Sequence, residues 1–256
     1  MTYCLGMMLR EGLVMMADTR TNAGIDNLAT YRKLRLLGQD GFSTIVVASA
    51  GSLSTTQIAI ERSIEGMSIP PLFQLEKVST VDRIHRAAYL MGQAVKKTAH
   101  DWRQATQEDI ALDASLLVAG SIGRERPRLF MIYGEGNFIE CCRDTPYLQI
   151  GERKFGQPIL DEVLTYDTDL YDALKIGLIS FNMTMQSNRA VDLPIDVVIV
   201  REGETVPEFV YRFERDDPYY IDLDRRWTHT LREAVARIPP PPARPQVSEL
   251  ETAAQD

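Results

Sequence analysis

The sequence predicts an α+β protein: a four-layer αββα sandwich, two antiparallel sheets covered on their outer sides by helices. Three observations point to it. Strand-like segments come in blocks, in the order strands, two helices, strands, two helices, strands, helix. A doubly wound parallel sheet would instead alternate strand and helix one for one. The first two strands are joined by only Arg10-Glu11-Gly12, so the first sheet opens as an antiparallel hairpin. No linker-like stretch precedes Pro239-Pro240-Pro241-Pro242, so residues 1–238 are expected to form one domain and residues 239–256 a disordered tail.

The elements follow in order. Thr2 to Leu9 and Leu13 to Asp18 read as the strands of the hairpin. Thr30 to Leu37 and Ser43 to Ala50 are two more strand-like runs, with a turn at Gly38-Gln39-Asp40-Gly41. Ser54 is a candidate cap for a helix to about Gly66. Val81, Ile84, Ala88, Met91 and Val95 then recur at three- and four-residue steps in a helix from about Thr80 to Gln104. Strands return at Ala114 to Ala119, Arg128 to Tyr133 and Asn137 to Glu140. Helices follow around Gln157 to Leu164 and from Leu170 to Gln186. Val197 to Arg201 and Phe209 to Phe213 are strand-like, and Trp227, Leu231 and Val235 mark a last amphipathic helix.

Composition narrows the function. A net charge of −8 argues against a nucleic-acid or anionic-membrane partner, since both need a basic face. The start lacks the basic region of a secretory signal and suits a strand better, and the uncharged run from Gly41 to Ile60 is too polar for a membrane span. Cys4, Cys141 and Cys142 are odd in number and form neither a disulfide framework nor a metal spacing. A reducing cytoplasm is the expected location, with no cofactor and no metal.

Chemistry is expected at the first residues. Removal of Met1 leaves Thr2 with a free α-amine beside its own hydroxyl, one of the few nucleophile–base pairs that needs no histidine. The hairpin places Asp18 at the end of the strand paired with Thr2. Lys33 falls in the middle of the next expected strand, and if that strand is covered, its ammonium needs a counter-ion that Asp18 can supply. The alternative is a solvated basic strand, which the flanking Arg32 and Arg35 favour.

Thr2, Ala17-Asp18-Thr19-Arg20, Lys33 and Ser49-Ala50-Gly51 together resemble the ordered signature of proteasome β subunits and the bacterial HslV peptidase. The opening Thr-Tyr-Cys-Leu-Gly, the run from Asp18 to Gly24, Arg32-Lys33, Ser187-Asn188 and Leu193-Pro194-Ile195-Asp196 are similar to the bacterial ancestral-β, or Anbu, family. The likeness runs from Thr2 to about Phe213. It implies the N-terminal-nucleophile hydrolase fold and hydrolysis of peptide or related amide bonds.

The resemblance assigns roles. Thr2 is the nucleophile and its α-amine the base, Asp18 and Lys33 the charge pair that tunes it, and Gly51 the donor of an oxyanion-binding N–H. Arg20 and Thr21 line the substrate groove, and Ser187 helps hold the threonine amine. It also implies self-association into a ring or open spiral acting on peptide or protein substrates. The helices at Ser54–Gly66 and Thr80–Gln104 are the expected contact surfaces.

Three places depart from the family pattern: the Asp18-to-Lys33 interval is one residue short, Glu152 stands where a serine is expected, and Thr184 where an aspartate is. A carboxylate beside the threonine ammonium raises its pKa and weakens it as a base. Slow hydrolysis, a decayed scaffold subunit and a non-proteolytic amidase therefore all stay open. His85, His100 and His229 fit surface or packing roles, Cys4 a small wall residue near the site, Cys141 and Cys142 inert thiols, and Gly134-Glu135-Gly136 a plain turn.

Overall fold

A computed structural model describes residues 1–22, 28–39, 41–69, 74–106 and 113–242. Of the expected tail, residues 243–256 lie outside this set. The elements are β1 (Tyr3–Leu9), β2 (Gly12–Asp18), β3 (Arg20–Asn22), β4 (Leu28–Thr30), β5 (Leu34–Gln39), β6 (Ser43–Gly51), α1 (Leu53–Glu65), β7 (Met67–Ile69), β8 (Gln74–Glu76) and α2 (Ile84–Thr106). They continue with β9 (Ala114–Ile122), β10 (Arg128–Ile132), β11 (Phe138–Glu140), β12 (Tyr147–Gly151), α3 (Gln157–Val163), α4 (Leu170–Ser187), β13 (Ile195–Arg201), β14 (Phe209–Phe213) and α5 (Pro218–Arg237).

Two five-stranded antiparallel sheets carry the fold, in the orders β12-β1-β2-β13-β14 and β11-β10-β9-β6-β5. Period-two alternation explains the layers. On β1, Tyr3, Leu5 and Met7 point outward and pack with Leu174, Leu178 and Phe181 of α4. Cys4 points inward, as do Leu13, Met15 and Ala17 of β2, against Val46, Ala48, Leu117 and Ala119 of the second sheet. The outer face of that sheet, with Ile45, Val47 and Val118, is covered by Ile84, Ala88 and Met91 of α2 and Ile60 of α1. The result is the expected αββα sandwich of the N-terminal-nucleophile hydrolases.

Several expectations need correction. The stretch Thr30–Leu37 is not one strand: β4 ends at Thr30 and β5 begins at Leu34, so Lys33 lies in the connection between them. Its carbonyl still accepts from the Ser49 N–H at 3.2 Å. The cap of α1 is Ser52, whose Oγ accepts from the Thr55 N–H, rather than Ser54. The strand β12 carried no clear alternation in Tyr147-Leu148-Gln149-Ile150-Gly151, yet it pairs with β1 from Tyr3↔Gly151 to Met7↔Tyr147. Finally, α5 begins at the Asp217 cap and buries Tyr220, while Leu231 and Val235 remain exposed.

Phe181 is fully buried, with its ring 4.4 Å from that of Tyr3. Phe181→Ala is expected to destabilise the fold by about 3–5 kcal/mol in urea unfolding.

Candidate active site

The site is built where the start of β1 meets the end of β2, the Tyr31–Lys33 connection and the end of β6. Asp18 is the last residue of β2 and is fully buried. One of its oxygens, Oδ1, accepts the backbone N–H of Tyr3 at 2.9 Å, so the carboxylate lies directly under the peptide bond that joins Thr2 to Tyr3. Lys33 reaches the same group: Nζ lies 2.8 Å from Oδ1 and 2.9 Å from Oδ2. A third contact runs from Nζ to the Arg20 carbonyl at 2.6 Å. The three N–H donors of an ammonium thus face three protein oxygens. Lys33 is buried, and the solvated-strand alternative is excluded.

Burial pushes the Asp18 carboxyl up from the ordinary carboxylate range, and the Lys33 ammonium and the Tyr3 N–H pull against that rise. Removing the cation would leave the desolvation unopposed.

Cys4, one alternation beyond Thr2, directs Sγ to the Ser49 carbonyl at 3.6 Å. Burial drives its thiol far above the usual range, so it is a wall residue and not a nucleophile. The contacts of Ser49 with both Cys4 and Lys33 bring the end of β6, and hence Gly51, to this corner of the sandwich. Gly51 has φ +100° and is exposed; a Cβ there would collide with the Asp113 carbonyl. Glycine is required by that close approach whatever else its N–H does.

Thr2 itself is half-buried and Met1 is exposed. The Thr2 carbonyl accepts the Glu152 N–H at 2.7 Å, one step beyond the Tyr3↔Gly151 pair. Glu152 is therefore cross-strand from Thr2, and its carboxylate is held by the Asn188 side chain at 2.9 Å. Sequence reasoning placed Ser187 here. That residue, expected to hold the threonine amine, is exposed at the last position of α4, and it is its neighbour Asn188 that holds Glu152. Thr184 is buried and donates to the Ser180 carbonyl of its own helix. It packs the helix and takes no place at residue 2.

Arg20 Nη1 pairs with Asp192 at 2.7 Å, and Arg215 shares that carboxylate at 2.6 Å. Arg20 Nε and Thr21 Oγ1 are buried without a hydrogen-bond partner among the described residues. Such atoms are uncommon in a folded protein and mark this strand as a place that a ligand could complete. A groove of about 600 Å³ between β5 and β14 is lined by Leu34, Val198, Tyr211 and Arg212, and reaches neither Thr2 nor Gly51. Among the described residues no cluster of side chains suits a metal ion.

With this geometry in view, the comparisons with known proteins are decisive. The family described as "Proteasome subunit" matches residues 2–200.

The chain belongs to the proteasome family.

Solved Anbu structures are similar over nearly its whole length. Anbu (ancestral beta-subunit) from Yersinia bercovieri shares 40% identity, with 93% of this chain and 97% of that one covered and a TM-score of 0.83. Anbu from Hyphomicrobium sp. strain MC1 shares 39%, over 94% and 100%, with a TM-score of 0.83. The Anbu complex from Pseudomonas aeruginosa, solved as a helical assembly, shares 38%, over 94% and 98%, with a TM-score of 0.86. No curated protein matches. These likenesses place the chain in the Anbu branch of the proteasome family.

Two predictions follow from the site of this Anbu protein. Lys33→Met leaves a buried carboxylate unpaired and is expected to cost about 3–5 kcal/mol at neutral pH in urea unfolding, with Asp18→Asn added to it restoring most of the loss. The folded pKa of Asp18 then lies above its unfolded value, so the deficit shrinks as pH falls through the folded pKa towards about 3.9. In the second, iodoacetamide at pH 8 should label exposed Cys142 in the native protein. Buried Cys4 should react only after unfolding, and half-buried Cys141, pushed up to about 12 by desolvation, should react more slowly than Cys142.

Proposed function

We propose that the chain is an N-terminal threonine hydrolase of peptide bonds, with Thr2 as nucleophile after removal of Met1. The observation that carries this reading is the buried Lys33 ammonium, fixed by the Arg20 carbonyl and by Asp18, whose carboxylate in turn accepts the N–H of the Thr2–Tyr3 peptide bond.

In this reading the Thr2 Oγ–H proton passes to the α-amine as Oγ attacks the amide carbonyl. The positive charge of Lys33 favours the developing alkoxide, and Asp18 keeps the ammonium in place. The Gly51 N–H faces the carbonyl oxygen as it gains charge. The C–N bond then breaks, the protonated amine returns its proton to the leaving nitrogen, and an ester to Thr2 remains. Water hydrolyses that ester and restores the hydroxyl. Arg20 and Thr21, whose buried Nε and Oγ1 have no partner among the described residues, bind the extended substrate beside it.

Glu152 supports a second reading. Cross-strand from Thr2, its carboxylate favours the charged α-ammonium and so weakens the base. A slow hydrolase, a scaffold subunit or an amidase of other substrates would each accommodate this.

Self-association into an open array is part of the proposal, supported by the helical assembly of the Pseudomonas aeruginosa relative. We place the protein in the cytoplasm: its cysteines are free and no described helix is long and apolar enough to cross a membrane.

The test is intact mass together with labelling by a β-lactone or epoxyketone probe. The mature protein is expected to lack Met1 and to gain one probe mass, which Thr2→Ala should not. Retention of Met1, or equal labelling of Thr2→Ala, would remove Thr2 from the chemistry.

A further inference from the structure

The helices α1 and α2 bury their apolar residues against their own sheet, so what they turn outward is polar. On α2 that polar face is basic. Lys96, His100 and Arg103 recur at steps of four and three residues and, with Lys97, form one exposed stripe along the helix. Beside it runs a groove of about 360 Å³, walled by Met67 and Ile69 of β7 on one side and by Lys96, Lys97 and His100 on the other. No carboxylate lines it. Asp101 is shared by Arg62 at 2.8 Å and Lys97 at 3.4 Å, and Glu65 lies outside the lining. Lys96 and His100 have no ion-pair partner among the described residues. In a chain of net charge −8, this is a local site for an acidic partner with an apolar side.

The chain itself carries a matching segment. Val247–Asp256, outside the described residues, holds Glu249, Glu251 and Asp256 and neither lysine nor arginine, with Leu250 between the two glutamates. In an extended segment Glu249 and Glu251 point one way and Leu250 the other, which suits a groove with one basic and one apolar wall. Residues 107–112 also carry two carboxylates, Glu108 and Asp109, but they are held at both ends by α2 and β9.

We infer that the α2–β7 groove takes the Val247–Asp256 segment of a second copy of this chain. Leu250 then lies against Met67 and Ile69, and Glu249 and Glu251 meet Lys96 and Lys97. Reach selects the second copy. From Pro242, the last described residue, to Leu250 is at most about 28 Å of extended chain. α5 packs on α4, outside the first sheet, whereas α2 covers the outer face of the second. Across four layers spaced about 10 Å apart that is about 30 Å through the sandwich, and more around it. A tail of one chain in a groove of the next is a heterologous contact, which propagates as a ring or an open helical array. The inference deepens the self-association proposed above and rests on it.

Sedimentation velocity of the full chain at micromolar concentration and low salt tests this contact. The wild type is expected to associate. Lys96→Glu with Lys97→Glu, and separately Glu249→Lys with Glu251→Lys, should each lower the particle mass at least twofold. Lys96 and Lys97 are exposed and residues 249 and 251 lie beyond α5, so both variants should keep the circular dichroism and melting curve of the wild type. The chain carrying all four changes should regain the wild-type mass. Association that survives either double change, or that the fourfold change does not regain, overturns the pairing of tail and groove and leaves self-association standing. If the wild type sediments as a single 28.9 kDa chain, both fail.

Discussion

The Asp18–Lys33 pair is the interaction on which the arrangement at the N-terminus depends. Each partner is costly alone in the space between two sheets, because desolvation disfavours an isolated charge there. Together with the Tyr3 N–H and the Arg20 carbonyl they satisfy one another at 2.6–2.9 Å. That network ties the start of β1 to the end of β2 and to the approach to β5. It therefore fixes residue 2 through its backbone, whatever its side chain does.

A buried ion pair adds little net stability compared with apolar packing of the same volume. Apolar residues could have closed this corner, as they do in the rest of the inter-sheet core, where Val46, Ala48, Leu117 and Ala119 pack. Retaining a cation here makes sense as electrostatics aimed at a neighbour. Glu152 sets an opposing influence on the other side of Thr2: it is cross-strand from that residue and clamped by Asn188. In the mechanism proposed above, the balance between a cation that favours alkoxide and a carboxylate that favours ammonium sets how good a base the α-amine is.

Much of this was legible in the residues. The hairpin Tyr3–Asp18 could be read from alternation and a short turn, and it alone put Asp18 beside Thr2. Spacing and chemistry made Lys33 a candidate despite its misjudged strand, because the need of a buried ammonium for a counter-ion does not depend on strand bounds, but the family resemblance was what decided against a solvated basic strand. β12 escaped notice because one face meets the α-layer and the other the inter-sheet core, so Tyr147 to Ile150 shows no polar–apolar alternation. With β12 unseen, the cross-strand position of Glu152 was out of reach. Ser187 entered through the family resemblance alone, and the contact of Asn188 with Glu152 could not be read without β12. α5 misled in the opposite sense: its stripe has core periodicity, yet half of it extends past the core of its own chain.

The most direct measurement of the central claim is a structure of the protein after loss of Met1, in which the separation between Thr2 Oγ and Lys33 Nζ is read. The account predicts about 3 Å, hydrogen-bond range, with Asp18 still bound to the ammonium. A Lys33 side chain turned to solvent, or a Thr2 hydroxyl pointing away from it, would contradict it.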